Sequence, residues 1–147
     1  MTRHALVLLG AAAIFAAPGI FFLTRGDANA ERCFAEKGEA AIAACTRAID
    51  SGRFSGPALA AIYDNRAIEL RQQGDYDEAI GDYSEALRHD AALTGAYTGR
   101  GLAYEGANEI AKAKLDYHAA LAVGVQRADG EWAQQTARGR LAALGVD

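Results

Sequence analysis

The side chains that could do chemistry in this sequence do not fall into a catalytic or metal-binding spacing. Cys33 and Cys45 are twelve residues apart, whereas redox-active cysteines are typically separated by two. His118 lies far in sequence from any candidate nucleophile, and His89 ends a predicted helix beside Asp90, where a cation favours the helix dipole. Ser84 lacks the His and carboxylate pattern of nucleophilic catalysis. We therefore predict a protein that is not an enzyme, with no catalytic residues, no cofactor and no metal.

An acidic cluster at Asp75, Asp77 and Glu78 could suggest calcium, but it lacks the spacing and the glycine of an EF-hand loop. The same residues have the form of a capping box, in which Asp75 begins a helix and Glu78 reaches back to it. Another short glycine motif, Gly99-Arg100-Gly101, is not followed by the lysine of a phosphate-binding loop. Capping and packing therefore explain these motifs better than ligand chemistry does.

The elements that must position these residues are predicted to be helices. Alanine, the strongest helix former, supplies 35 of the 147 residues, and 51% of the chain is hydrophobic. The length suits one small domain. The net charge of −4 gives no basic surface for nucleic acid, so we predict no nucleic-acid partner.

Residues 1–30 read as a signal peptide. Arg3 precedes an uncharged apolar run over residues 5–23, and Ala28-Asn29-Ala30 fits a small-x-small cleavage site. The alternative is an uncleaved membrane anchor, because nineteen apolar residues could just span a bilayer. In both cases the positive charge precedes the segment, so the rest of the chain is predicted to be exported, periplasmic or secreted. We expect membrane contact only if residues 5–23 remain uncleaved.

Export changes the interpretation of the two cysteines. An isolated pair in an oxidising compartment is most often a disulfide, so we predict a Cys33–Cys45 bond. Residues 39–50 are predicted to form a helix with Cys45 on its inner face, and the Cys33 segment must then fold back onto that face.

A repeat with a period of 34 residues follows, over 60–93 and 94–127. Tyr63 matches Tyr97, Arg66 matches Arg100, and the helical motif around Tyr83 matches the one around Tyr117. The pattern predicts a helix from about Pro57 to Gln73, ended by Gly74, and a second helix after it. The paired Arg and Asp residues at 66 and 82, and at 100 and 116, are predicted to bond and to fix the helix register.

These units resemble the tetratricopeptide repeat (TPR), in a variant with Asn-Arg-Gly-like segments that is common in bacterial proteins. The resemblance implies an all-α solenoid of helical hairpins, a right-handed superhelix, in which residues 31–59 form a degenerate leading repeat. Residues 128–147 would form a capping helix with Trp132 at the edge of its apolar stripe and with Arg138 and Arg140 facing outward. The positions that carry the resemblance are interpreted as structural: Tyr63, Gly74, Ala79, Tyr83, Ala86, Tyr97, Gly101, Tyr104, Ala113, Tyr117 and Ala120.

The resemblance also implies a concave groove that binds a peptide or protein segment. Its candidate lining is Asp64, Ile68, Arg71, Gln72, Thr98, Leu102 and Glu105, with Ala61, Gly95 and Gly106 beside them. Family members that bind chaperone C-termini have Lys and Asn where Asp64 and Ile68 stand, which argues against that function here. We therefore predict a non-enzymatic interaction module that is exported and acts as an adaptor. The alternative is a membrane-anchored accessory subunit of an envelope complex.

Overall fold

The computed structural model describes residues 27–125 and 130–145, and over these residues the chain forms seven helices and no strand. No helix in that part of the chain is long and apolar enough to span a membrane. The apolar segment over residues 5–23 lies outside the described residues. The helices are α1 (Ala28–Ala35), α2 (Gly38–Asp50), α3 (Gly56–Gln73), α4 (Tyr76–His89), α5 (Thr94–Gly106), α6 (Ile110–Val123) and α7 (Gly130–Ala143).

The helices pair in chain order into three hairpins, α1 with α2, α3 with α4 and α5 with α6. Each hairpin packs against the next, through α2 on α3 and α4 on α5, and α7 closes the stack against both α5 and α6. The core has three clusters along this stack. Each hairpin therefore buries its apolar face only against its neighbours, which is the behaviour of a solenoid.

The predicted bounds of α3 are confirmed. Pro57 lies in its first turn, where the missing N–H of proline is not needed, and Gly74 ends it in the left-handed region at φ 91°. The predicted capping box at Asp75 is wrong, because its side chain makes no capping hydrogen bond. The Asp75 N–H, to which Glu78 would reach back in a capping box, donates instead to the Leu70 carbonyl at 3.0 Å.

The leading hairpin begins with a complete helix, α1, and the predicted end of the signal peptide at residue 30 lies within it. Asp27 caps α1 by accepting from the N–H groups of Asn29 and Ala30, at 3.0 and 3.1 Å. Ala30 is fully buried, and the Asn29 side chain accepts from Arg47 on α2 at 3.0 Å. The predicted boundary between residues 30 and 31 therefore falls inside α1.

The sulfur atoms of Cys33 and Cys45 lie 2.08 Å apart, at disulfide-bonding distance, and connect α1 to α2. Both residues are fully buried. Asn65 on α3 donates to the Cys33 carbonyl at 2.6 Å and lies 3.8 Å from each sulfur. The cysteine pair is therefore enclosed by α1, α2 and α3, and Cys33 and Cys45 are brought together as the sequence predicts.

Close helix approach depends on residues without large side chains. The alanines at the hairpin crossings are fully buried, and the ring of Tyr83 on α4 lies against Gly99 on α5. A Cβ atom added at Gly99 would meet that ring at 2.5 to 2.6 Å, and one at Gly101 would meet the Tyr117 ring at 2.6 Å. The tyrosines therefore fill the space that the glycines leave, and their predicted role in packing is confirmed.

Candidate functional site

Four of the predicted groove residues come together on one wall of a cavity of about 420 Å³. Asp64, Ile68, Arg71 and Gln72 lie at successive turns of α3 and all line it. The opposite walls come from three further helices, through Tyr83 of α4, Gly95 and Gly99 of α5, and Trp132 of α7. Four of the seven predicted lining residues therefore lie together at one cavity beside the first repeat.

The shape of this cavity follows from residue size. Gly95 and Gly99 are the α5 residues at this cavity, and the Tyr83 ring lies against Gly99, where a side chain would otherwise stand. Ile68, the Tyr83 ring and Trp132 make most of the lining apolar. Trp132 is 55% exposed, which is unusual for a large aromatic side chain on an otherwise packed helix. The cavity can therefore accept an apolar group and bury it against aromatic and aliphatic surface.

The polar groups of the cavity are concentrated around Tyr83. Its side chain is 1% exposed, and burial, followed by the nearby Asp64 carboxylate, raises the pKa of Tyr83, while Arg71 opposes the rise. In the described part of the chain, neither the Tyr83 hydroxyl nor Arg71 Nε has a hydrogen-bond partner. The Asp64 carboxylate lines the same cavity, so an acceptor and these two donors lie in one region.

The three predicted groove residues of the second repeat are not in an open groove. Thr98 is fully buried and donates its hydroxyl to the Ala133 carbonyl of α7 at 3.1 Å. Leu102 packs into the core cluster around Tyr117. Glu105 accepts from Arg140 Nε at 2.9 Å and from the Tyr117 hydroxyl. The groove prediction fails at these positions because α7 lies over them.

The interaction of Glu105 with α7 also corrects the prediction that Arg140 faces outward. The hydrogen bonds from Arg140, with a smaller contribution from Tyr117, lower the pKa of Glu105. Burial and the bond to Glu105 raise the pKa of Tyr117. Arg138 stays exposed, as predicted. One ionic network thus holds the capping helix to the second repeat.

The predicted Arg–Asp pairs are confirmed in both repeats. Arg66 binds Asp82 through two parallel bonds of 2.6 and 2.8 Å, and Arg100 binds Asp116 at 2.7 and 2.8 Å. Each guanidinium makes a third bond to a hydroxyl of the preceding hairpin, on Thr46 at 2.9 Å or on Ser84 at 3.0 Å. These arginines are therefore structural clamps between hairpins and do not line the cavity.

Glu69 is a polar residue that the sequence reading missed. Its side chain is 2% exposed, and it accepts from the Gly38 N–H at 2.7 Å and from Lys37 at 3.3 Å. The bond fastens the α1–α2 turn onto α3. Only the tertiary contact identifies it, since a glutamate on a helix is normally solvent-exposed.

The described residues contain no group of three or more His, Cys, Asp or Glu side chains placed to hold a metal ion. His89 is stacked on Tyr63 with ring centroids 6.0 Å apart, and His118 is exposed. What the site can do, on this geometry, is bind a segment by burial and hydrogen bonding.

Known proteins share this fold. Residues 67–107 match the family model described as TPR repeat. The second TPR domain of the human RPAP3 protein, solved by NMR in complex with the HSP70 peptide SGPTIEEVD, superposes with a TM-score of 0.60 at 24% identity and covers 82% of this chain and 98% of that one. The first TPR domain of human RPAP3 gives 0.59 at 22%, covering 84% and 93%. No curated protein matches the chain.

The Arabidopsis OM64 TPR domain gives a TM-score of 0.58 at 25% identity, covering 76% of this chain and 98% of that one. The fold is thus an all-α solenoid of TPR helical hairpins, and α7 lies at the end of the stack where a capping helix is expected. TPR domains are protein–protein interaction modules, and the cavity lies on the face formed by the first helices of the hairpins.

Proposed function

We propose that this chain is a non-enzymatic interaction module that binds a peptide or protein segment in the groove between α3, α5 and α7. The observation that carries the proposal is the cavity, which collects Asp64, Ile68, Arg71 and Gln72 against the exposed Trp132. The complex of a similar domain with a peptide supports this use of the fold. That peptide is acidic, whereas this groove places the Asp64 carboxylate in its wall, so we propose a different partner chemistry.

Photo-crosslinking in the native cell tests this function. A photoreactive amino acid at Gln72, which is exposed and lines the cavity, is expected to give discrete protein adducts on illumination. The matched control places the same group at His118, which is exposed on α6 away from the cavity. Equal adducts from both positions, or adducts from His118 alone, would contradict binding in the groove.

We also propose that the module acts outside the cytoplasm as an adaptor. The support is the basic start and the apolar run over residues 5–23, together with the buried cysteine pair at bonding distance. Fractionation of the native cell tests the compartment. Recovery of the protein only with cytoplasmic markers would contradict export.

The second candidate function is a membrane-anchored accessory subunit, and the position of α1 is compatible with it because α1 argues against cleavage after Ala30. Cleavage after Ala30 would remove the Asp27 cap and a fully buried alanine from the fold. We therefore expect the mature chain to keep residues 27–30, either through cleavage further upstream or through an uncleaved anchor. Intact mass measurement of the native protein decides this, and a mature chain beginning at Glu31 would contradict it. Retention in membranes after an alkaline wash would distinguish the anchor.

A further inference from the structure

A second cavity, which we call the outer crevice, lies on the side of α3 that faces away from the groove. Its volume is about 360 Å³, and it is lined by Ile42 and Thr46 of α2, Arg66 and Leu70 of α3, and Glu78 and Asp82 of α4. Arg66 and Leu70 stand two residues after the groove residues Asp64 and Ile68, which is roughly half a turn of helix. A ligand in the outer crevice therefore leaves the groove free.

One carboxylate in the outer crevice has no partner of its own. Arg66 and Asp82 are mostly buried and bind each other, and Arg66 also donates to Thr46. Glu78, by contrast, is exposed and makes no hydrogen bond or ion pair through its side chain with the part of the chain that the structure describes. The Glu78 carboxylate is therefore the polar group of the crevice that is available to a charged ligand.

The surroundings of Glu78 favour a cation on an aliphatic stem. Asp82 balances the charge of Arg66, so Glu78 leaves the crevice with a net negative charge. On its other side, Glu78 lines a smaller cavity of about 270 Å³ with Asp75 and Asp77. The remaining lining is apolar, from Ile42 and Leu70. Lysine and arginine side chains match such a surface, because their methylene groups lie on apolar atoms while the charged end stays in water.

The second repeat places a side chain of this kind at the corresponding position. Thirty-four residues after Leu70 and Glu78 stand Tyr104 and Lys112. The Lys112 ammonium lies 5.3 Å from the centroid of the Tyr104 ring and pairs with Glu109. The chain thus supplies its own cation over α5, whereas over α3 it supplies a carboxylate and leaves a cavity.

We propose that the outer crevice binds a basic side chain, lysine or arginine, from a segment of a partner protein. The stem of that side chain lies on Ile42 and Leu70, and its charged end pairs with the Glu78 carboxylate. This surface is separate from the groove and does not depend on the function proposed for it. One chain can therefore hold two partners at once, which is what an adaptor requires.

The test uses the full chain as the native cell matures it and phage-displayed random peptides as the probe. Peptides are selected on the native chain, and those that also bind the Glu78→Lys variant are removed. The remaining peptides are synthesised with capped ends and a fluorescent label, and their Kd values are measured by anisotropy. We expect them to share a basic residue. Replacing it by norleucine, or changing Glu78→Gln, should raise the Kd about threefold to fivefold, the effect of losing one exposed ion pair.

Two matched variants and one exchange of charges serve as controls. Glu85→Gln removes an exposed carboxylate of the same helix that Arg88 already binds, and Trp132→Ala alters the groove. Both should leave the Kd unchanged. A peptide with glutamate at the basic position should bind Glu78→Lys more tightly than the native chain. That result would show that Glu78 acts through its charge and that the variant is folded.

The outcomes separate this inference from groove binding. Failure to recover any peptide that depends on Glu78, or recovery of peptides without a shared basic residue, would overturn the proposal. Loss of binding in Trp132→Ala would assign the peptides to the groove, which contradicts a second surface and leaves the proposed function in place. Self-association of the native chain in sedimentation experiments, abolished by Glu78→Lys, would assign the outer crevice to a second copy and also contradict the proposal.

Discussion

Two junctions between neighbouring helical hairpins, one around Tyr83 and one around Tyr117, have the same architecture but differ in whether they are covered. At the first, Tyr83 lies buried between α3 and α5 beside an open cavity, and its hydroxyl is unpartnered in the described part of the chain. At the second, Tyr117 is buried in the same way, but its hydroxyl binds Glu105 and α7 closes over the helix face. The same face of a repeat can thus form an open cavity or be covered by the next helix. A few side chains, such as Glu105 and Arg140 in the second repeat, determine which of the two occurs.

The leading hairpin extends this comparison to a third junction. Aligned with an offset of 38, Ala41, Cys45 and Ala48 of α2 take the positions of Ala79, Tyr83 and Ala86 of α4. Where Tyr83 meets a glycine on the next helix, the smaller Cys45 lies beside an asparagine, Asn65. The Tyr83 ring needs a glycine opposite it, whereas the smaller cysteine pair leaves room for the Asn65 side chain.

Removing α7 should have the largest effect, because it converts the sealed junction into an open one. A chain ending before Gly130 loses the buried side chains of Ala133, Ala137 and Leu141 and the Arg140 bonds to Glu105. We expect the free energy of unfolding to fall by more than about 3 kcal/mol, with loss of the cooperative transition. Urea unfolding followed by circular dichroism measures this. Trp132→Ala is the control, because the Trp132 side chain is exposed and its loss should change stability little. An unchanged urea midpoint in the truncated chain would contradict the stabilising role of α7.

Breaking the cysteine pair tests the junction at the other end. Replacement of both Cys33 and Cys45 by alanine should lower the free energy of unfolding by about 3 kcal/mol, because a short closed loop is released in the unfolded state. The thermal midpoint of the double variant against the native chain measures the loss. Titration of the denatured, unreduced native protein is expected to find no thiol, and two thiols per chain would disprove the bond.

Adding one methyl group to a glycine should change stability in opposite directions at Gly99, which contacts the Tyr83 ring, and at Gly81, which does not. Gly99→Ala places a Cβ about 2.5 Å from the Tyr83 ring and should destabilise the fold by about 1–3 kcal/mol. Gly81→Ala, on the open side of α4 with no atom within 4 Å, should stabilise it by about 0.5–1 kcal/mol through helix propensity. Chemical denaturation of both variants checks the pair. Equal behaviour would show that Tyr83 does not depend on a bare backbone.

Acidification should weaken the sealed junction slightly. The pKa of Glu105 is lowered from its ordinary value of 4.5 by Arg140, so its contribution to stability is full above that value. It is lost as the pH falls through the lowered pKa, because protonation of Glu105 removes the ionic bonds. We expect the urea midpoint to decrease between pH 5 and pH 3 by less in Glu105→Gln than in the native chain. Parallel curves for the two proteins would rule out this network as a source of acid sensitivity.

Much of the fold could be predicted from sequence because it depends on local rules. Gly74, Pro57 and the 34-residue period identify the helices of both repeats, since capping and spacing act within a few residues. The predicted cleavage site falls inside the first helix because Ala28-Asn29-Ala30 suits both a cleavage site and a helix start. The period could not identify the leading hairpin, whose offset of 38 and cysteine break the pattern.

The candidate site was only half predictable. The α3 side of the groove followed from the TPR resemblance, but its second half depends on which face α7 presents, and no local rule fixes that. Arg140 reads as an exposed arginine until Glu105 is found opposite it. In the same way, the buried Glu69 is explained only by the Gly38 N–H that reaches it from the α1–α2 turn.

The most direct test of the two-junction account is the stability of two variants that each remove one hydroxyl. In urea unfolding at neutral pH, Tyr117→Phe should lower the free energy of unfolding by about 1–2 kcal/mol, because Glu105 loses a hydrogen bond. Tyr83→Phe should change it by less than about 0.5 kcal/mol or increase it, because its hydroxyl makes no bond within the described fold. Equal losses in the two variants, or a larger loss for Tyr83→Phe, would contradict the account.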